Sequence, residues 1–324
     1  MKHNIKITLI LLLMFVATQF IGLYVVNYYS PVRVSDGVSM NVSAPVLPFG
    51  LETPELKDKT EFNYAFFSIV LAFAIAISLV LFLTKINAEF FLRLWFFLVI
   101  IIALVISLNV FISDLGLKIY DIAFSSYIFP LSWLVAFILA VPLAFIKIYK
   151  RNFFVHNATE LFVYPGIAAV FVPILNVYTI SFLLILISVY DAWAVWHSGI
   201  MQKMAKYQIN KLNVFSGFFI PYASKKVKMQ IQKMKKSPLK SDKLKKIKVN
   251  IAILGGGDIV FPIITAGIML KTFGLMSAVF IIFGAALGLG FLFFLAEKKK
   301  FYPAMPFITA GIFIGFILSN LFPL

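Results

Sequence analysis

The stretch Lys248–Met269 reads KVNIAILGGGDIVFPIITAGIM and sets one carboxylate, Asp258, eight residues inside a segment that is otherwise apolar. An ionisable side chain inside a membrane span is costly to insert, so its presence points to function. Gly255, Gly256 and Gly257 remove side chains just before it, where another backbone can approach closely. The stretch therefore raises one question: which other carboxylate faces Asp258.

The rest of the chain supplies the setting. Of 324 residues, 62% are hydrophobic and 13% charged, and the mean hydropathy is +0.99, outside the range of soluble domains. At about 20 apolar residues per helical span, the chain has material for roughly nine spans. The fold class expected is an all-α polytopic membrane protein, integral to the cell membrane, with about nine transmembrane helices. There is no cysteine, which excludes disulfides, thiolate nucleophiles and Cys-based zinc sites. His3, His156 and His197 lack ligand spacing and are read as one leader residue and two interfacial ones, so neither a metal nor another cofactor is expected. The net charge of +16 is concentrated: 14 of 29 basic residues lie between Lys203 and Lys248, with Asp242 the one acid among them. On a membrane protein that block is a topology signal and a contact for anionic lipid rather than a nucleic-acid site.

In chain order, Ile5–Val26 reads as an uncleaved first helix, and residues 28–62 as a proline-containing loop in which Asn41, Val42 and Ser43 fit a glycosylation acceptor. Spans follow at about 63–83, 90–112, 127–146 and 158–175, the last interrupted by Pro165, Gly166 and Pro173. The sixth, 177–199, carries the second deep acid, Asp191, in SVYDAWAVW. Residues 201–249 form a basic loop whose start spaces Met204, Tyr207, Leu212 and Phe215 among lysines, the pattern of an amphipathic helix on a membrane surface. The seventh span is the opening stretch; 275–295 and 302–321 are the eighth and ninth. The chain divides into 1–200, 201–249 and 250–324.

With the N-terminus cytoplasmic, 24 of the 29 lysines and arginines fall on the cytoplasmic side, and five (Arg33, Lys57, Lys59, Lys118, Lys271) on the other. The C-terminus is then extracytoplasmic. Spans six and seven run antiparallel, each with an aspartate about eight residues from its cytoplasmic end, hence ~12 Å deep at ~1.5 Å per residue. Two carboxylates meeting in a low-dielectric site cannot easily both ionise; they share a proton and titrate as a unit. One can activate water while the other, protonated, polarises a carbonyl. Two other readings stay open on spacing alone: structural aspartates bonded to Tyr190 or to backbone near the glycines, and an ion- or proton-coupled channel or transporter.

The wording of the sequence goes further. Tyr190 and Asp191, the run Leu254–Asp258, and Pro303, Ala304, Met305 and Pro306 resemble, in that order, the YD, GxGD and PAL motifs of the presenilin and signal peptide peptidase family. The nine spans and the long loop between spans six and seven match as well, so the resemblance covers essentially the whole chain. Met305 departs from the usual leucine, a swap that preserves approximate volume. The resemblance, closest to a prokaryotic (archaeal) presenilin homologue, implies an intramembrane aspartic endopeptidase that cleaves transmembrane helices or signal peptide remnants. It makes Asp191 and Asp258 catalytic, with Tyr190, Gly255, Gly256, Gly257, Pro303, Ala304, Met305 and Pro306 as substrate-binding or supporting residues. It also implies that an unwound substrate strand pairs with enzyme backbone near the seventh span and the motif before the ninth. Prolines 303 and 306 suit this because they leave neighbouring backbone unpaired. Prepilin-type peptidases share GxGD but not the other two motifs.

Other marked residues have plainer readings. Gly284 with Gly288, and Gly311 with Gly315, have the spacing for close packing of spans eight and nine. Trp193 and Trp196 read as packing or interfacial anchors. Glu160 reads as interfacial, and Lys147 as one of the charges ending span four.

Overall fold

The computed structural model describes residues 5–30, 32–35, 38–41, 45–48, 59–86, 88–117, 131–150, 152–198, 216–222, 250–296 and 302–321. Within them the chain forms α1 (Ile5–Tyr28), a hairpin of β1 (Val32–Ser35) and β2 (Val38–Asn41), α2 (Lys59–Lys85), α3 (Glu89–Ile112) and α4 (Leu131–Phe145). There follow α5 (Phe153–Phe171), α6 (Val177–Trp193), β3 (Gly217–Tyr222), β4 (Asn250–Gly255), α7 (Gly256–Phe273), α8 (Leu275–Leu295) and α9 (Met305–Leu321). Eight of these helices, some extended by a π or 3-10 turn, are long and apolar enough to cross a membrane; α9 is apolar but shorter. The amphipathic start of the basic loop and the serine of the glycosylation acceptor lie outside the described residues.

Local chemistry sets the helix ends. The Asn152 side chain accepts the N–H groups of Phe154 and Val155, so α5 begins five residues before the apolar run suggests. Pro173 closes α5, and Asn176 and Thr179 form a reciprocal capping box that opens α6. Gly274, at φ 92°, takes a backbone conformation that favours glycine and turns α7 into α8.

The main core joins α1, α5, α6, α7, α8 and α9; a second cluster joins α3, α4 and α5. Glycine packing ties α8 to α9: a Cβ at Gly284, Gly288, Gly311 or Gly315 would strike the backbone of the opposite helix. By contrast, α2 presents most of its surface outward.

One expectation needs correction. The opening stretch is not helical throughout. Asn250–Gly255 is a strand, paired antiparallel with Gly217–Tyr222 in the register Gly217↔Gly255 to Tyr222↔Asn250, and the helix starts only at Gly256. NIAILG offers Ile side chains that suit a pleat, and Gly255 is an acceptable N-cap residue at the point where the strand gives way to the helix. Asp258 therefore stands in the first turn of α7, not two turns inside it, and a uniform helical rise does not give its depth.

Candidate active site

Asp258 is the third residue of α7, with Gly255 as N-cap. Its carboxylate accepts the Gly255 N–H, the half of a capping box in which the N3 side chain reaches back to the cap. Asp191 lies in the last turn of α6, 5% exposed, and accepts backbone N–H groups from Ala304 and Met305, the latter at 3.1 Å on Oδ2. Met305 opens α9, so Asp191 satisfies amides that a helix start leaves without internal partners. Helix α6 packs on both α7 and α9. The two aspartates come within electrostatic range of each other, Asp258 half-buried.

The three motifs of the sequence thus converge, though not every residue plays the part expected. Backbone beside Pro303 is not left open: the amides of Ala304 and Met305 are taken by Asp191. Tyr190 is exposed and lies near Trp193, its ring centroid 6.4 Å away. Of the three glycines, Gly256 meets the tightest packing: a Cβ there would lie 2.7 Å from Ser216 Oγ and 2.8 Å from Tyr164 Oη. What approaches is therefore side chains rather than another backbone. Gly257 is exposed, with nothing nearer to such a Cβ than Phe261 at 3.9 Å.

Several supporting residues were not apparent from sequence. Ser188, one turn before Asp191, donates to Thr309 Oγ1 at 2.8 Å and pins α6 to α9. Gln19 of α1 donates to the carbonyl of Ile259 at 3.1 Å, bracing the first turn of α7. Tyr164, fully buried, sets its hydroxyl near Glu160, Ser216 and Gly256. The signal available for Gln19 was a lone amide in an apolar helix; Ser188 and Thr309 carried none.

Three residues read as interfacial or loop charges prove to be buried. Glu160 is 0% exposed and pairs with Lys147 Nζ at 2.9 Å; His156 Nε2 lies 3.5 Å from the same oxygen. The reason is that the helix of span four continues through Lys150 and α5 begins at Phe153, so Lys147 and Glu160 face each other across a short connection. Trp193 and Trp196 point outward, as anchors do.

A bundle of apolar helices that brings two carboxylates together at the ends of facing helices has the make-up of an aspartic protease built into the membrane. A family model described as signal-peptide peptidase, presenilin aspartyl protease matches residues 34–323. The chain belongs to that family and is an intramembrane aspartic endopeptidase. It is similar to a solved structure of a presenilin family intramembrane aspartate protease in the C222 space group. That match has TM-score 0.57 and 15% identity, covering 97% of this chain and 98% of the other. A structure in the P2 space group matches at TM-score 0.56 and 17% identity, covering 96% of each chain. At such identity the likeness is one of fold. No curated protein sequence matches.

Proposed function

We propose that Asp191 and Asp258 are the catalytic pair of this protease and that its substrates are single membrane-spanning helices. The observation that carries this reading is their arrangement: each carboxylate is oriented by backbone N–H groups, Asp191 by Ala304 and Met305, Asp258 by Gly255, and the helices that carry them pack against each other. Sharing one proton, the pair has a base to take a proton from water and an acid to polarise the scissile carbonyl. Attack by the activated water gives a tetrahedral diol; collapse breaks the C–N bond, with the amine nitrogen taking a proton.

A helical substrate hides its amides in its own hydrogen bonds and must unwind before water can reach them. Strand β4 ends at Gly255, three residues before Asp258, and its edge away from β3 offers backbone groups on which an unwound segment can pair as a further strand. Residues 303–306, beside Asp191, form the other wall of the cleft. The lysines of 201–249, on either side of β3, mark the cytoplasmic side and suit anionic lipid, and the segment links the six-helix portion 1–200 to 250–324. The N-terminus lies inside and the C-terminus outside.

The test is to incubate purified protein in lipid with single-span peptides, comparing wild type with Asp191→Asn and Asp258→Asn. Cleavage by wild type alone, blocked by a peptide mimic carrying a hydroxyl at the attacked carbonyl, is expected. Cleavage by both well-folded aspartate variants would overturn the pair. Aspartate-dependent ion flux without cleavage would favour a channel.

A further inference from the structure

The edge of β3 that faces away from β4 is occupied by side chains of α5. Asn157 donates from Nδ2 to the Phe219 carbonyl at 2.9 Å and accepts the Phe219 N–H on Oδ1 at 3.1 Å. His156 Nε2 donates to the Gly217 carbonyl at 2.9 Å, and the Gly217 N–H donates to Glu160 Oε1 at 3.2 Å. Two alternate residues of the strand therefore have both backbone groups satisfied, as a neighbouring strand would satisfy them. The next residue of that parity is Pro221, which has no N–H to pair.

This parity also fixes the other side of the hairpin. In an antiparallel pair alternate residues turn their N–H and C=O the same way. Phe218 and Ile220 then exchange hydrogen bonds with their partners Leu254 and Ala252, while Ile251, Ile253 and Gly255 turn theirs toward the far edge of β4. Gly255 gives its N–H to Asp258. The side chains agree: Phe218, Ile220, Ala252 and Leu254 are buried on one face, and Ile253 is exposed on the other.

The α5 groups are themselves held in place. Glu160 Oε1 receives the Lys147 ammonium as well as the Gly217 N–H, so this buried carboxylate is compensated where its partners hold the strand. The rings of His156 and Phe153 pack on Phe219, with centroids 4.6 Å and 5.5 Å away.

We propose that Asn157, supported by Glu160 and His156, is a positioning residue for proteolysis: it stands in for a third strand on β3, so that the hairpin offers one backbone-pairing edge, that of β4 leading into Asp258. The inference rests on the reading that substrate pairs with β4. A two-stranded hairpin is marginal by itself, and an open edge recruits any extended chain. A substrate added to β3 would lie one further strand spacing, about 4.8 Å, from Asp258 and outside reach of the pair. Closing the β3 edge removes that unproductive mode and stiffens the strand on which the productive one is built.

The experiment compares wild type, Asn157→Leu and Asn157→Asp on one single-span peptide, reading KM, kcat, the bond cleaved and the amount of hydroxyl-bearing peptide mimic bound at saturation. Leucine removes both bonds to Phe219 at similar volume, and KM is expected to rise about tenfold, with kcat changed less than about threefold and cleavage spread over neighbouring bonds. Aspartate, which keeps the acceptor, is expected to fall between. A purely structural role would instead lower bound inhibitor and kcat together, leaving KM and the bond unchanged, and would overturn the proposal. Should Asn157→Leu not fold, Asn157→Asp decides: wild-type KM and a single cleaved bond would overturn it too. A wild-type enzyme that cleaves nothing sinks the protease reading and this inference with it; an active wild type beside an unaltered Asn157→Leu sinks only the role of Asn157.

Discussion

The Met305 N–H donates to Asp191 at 3.1 Å, so a carboxylate at the end of α6 caps the start of a helix that begins 114 residues later in the chain. This contact gives the prolines a role other than exposing backbone for substrate. Pro303 is buried, Pro306 occupies the second helical position, where an N–H has no intrahelical partner, and between them the amides of Ala304 and Met305 are taken by the Asp191 carboxylate.

Replacing Pro303 by leucine should loosen that loop and let Asp191 drift from its productive position. Turnover is expected to fall on the order of ten- to a hundredfold. An inhibitor directed at the aspartates should still bind, since neither carboxylate is removed. Met305→Leu, 3% exposed and volume-conserving, should cleave near the wild-type rate with a stability change below about 1.5 kcal/mol. Normal turnover by Pro303→Leu, beside a dead Asp258→Asn, would reduce the segment to a plain helix start.

The hydroxyl pair Ser188–Thr309 offers a test of how α6 is registered against α9. Thr309→Val leaves the buried Ser188 hydroxyl without that partner and should destabilise by about 1–3 kcal/mol. Adding Ser188→Ala should recover part of the loss, because both polar ends are then gone. Thermal unfolding of the two singles and the double measures this, and strictly additive losses would show that the two groups do not act through each other.

Much of this architecture is legible in the sequence because a membrane helix announces itself by some 20 apolar residues in a row. The aspartates were visible for the same reason, as charges where charge is costly. Strand β4 was not. NIAILG is apolar without alternation, and only its partner GFFIPY, some thirty residues upstream, makes it a strand. Nor was the Lys147–Glu160 pair, since Lys147 stands beside Lys150 and Arg151 and looks like one more charge ending a span. Contacts such as Gln19 with Ile259, 240 residues apart, exist only once the helices are packed.

The buried ion pair invites its own measurement. Lys147→Met should destabilise by about 3–5 kcal/mol, because it takes the ammonium away from a carboxylate with no exposure. Lys147→Met with Glu160→Gln should be less damaging to stability than Lys147→Met alone. If the single and the double melt together, the pair holds less of the structure than its burial implies.

Orientation can be read chemically because the chain has no cysteine. Single cysteines in residues 201–249 should resist an impermeant thiol reagent in intact cells and label after the membrane is opened. A cysteine beside Leu324 should label in both. The reverse pattern would invert the topology and put the cleft's entrance on the opposite face.

Within the run of three glycines the structure separates two roles that the motif presents as one. A methyl group at Gly256 would press on Ser216 Oγ and on the Tyr164 ring, and Tyr164 is fully buried with no room to swing away. Gly256→Ala should therefore act on the fold, lowering the melting temperature by an overpacking cost of about 1–3 kcal/mol. A methyl group at Gly257 meets only Phe261, at 3.9 Å, and lies on an exposed side of the first turn, next in sequence to Asp258. Gly257→Ala should melt as wild type does, apart from the slight gain that alanine brings to a helix. Its effect should instead fall on turnover, since the methyl occupies space into which a substrate backbone must come to reach the carboxylate. Melting curves and cleavage rates for the two variants separate these outcomes. Wild-type turnover by Gly257→Ala would mean that substrate approaches Asp258 from another side. A Gly256→Ala protein as stable as wild type would mean that Tyr164 and Ser216 yield easily, and the packing argument for that glycine would fall.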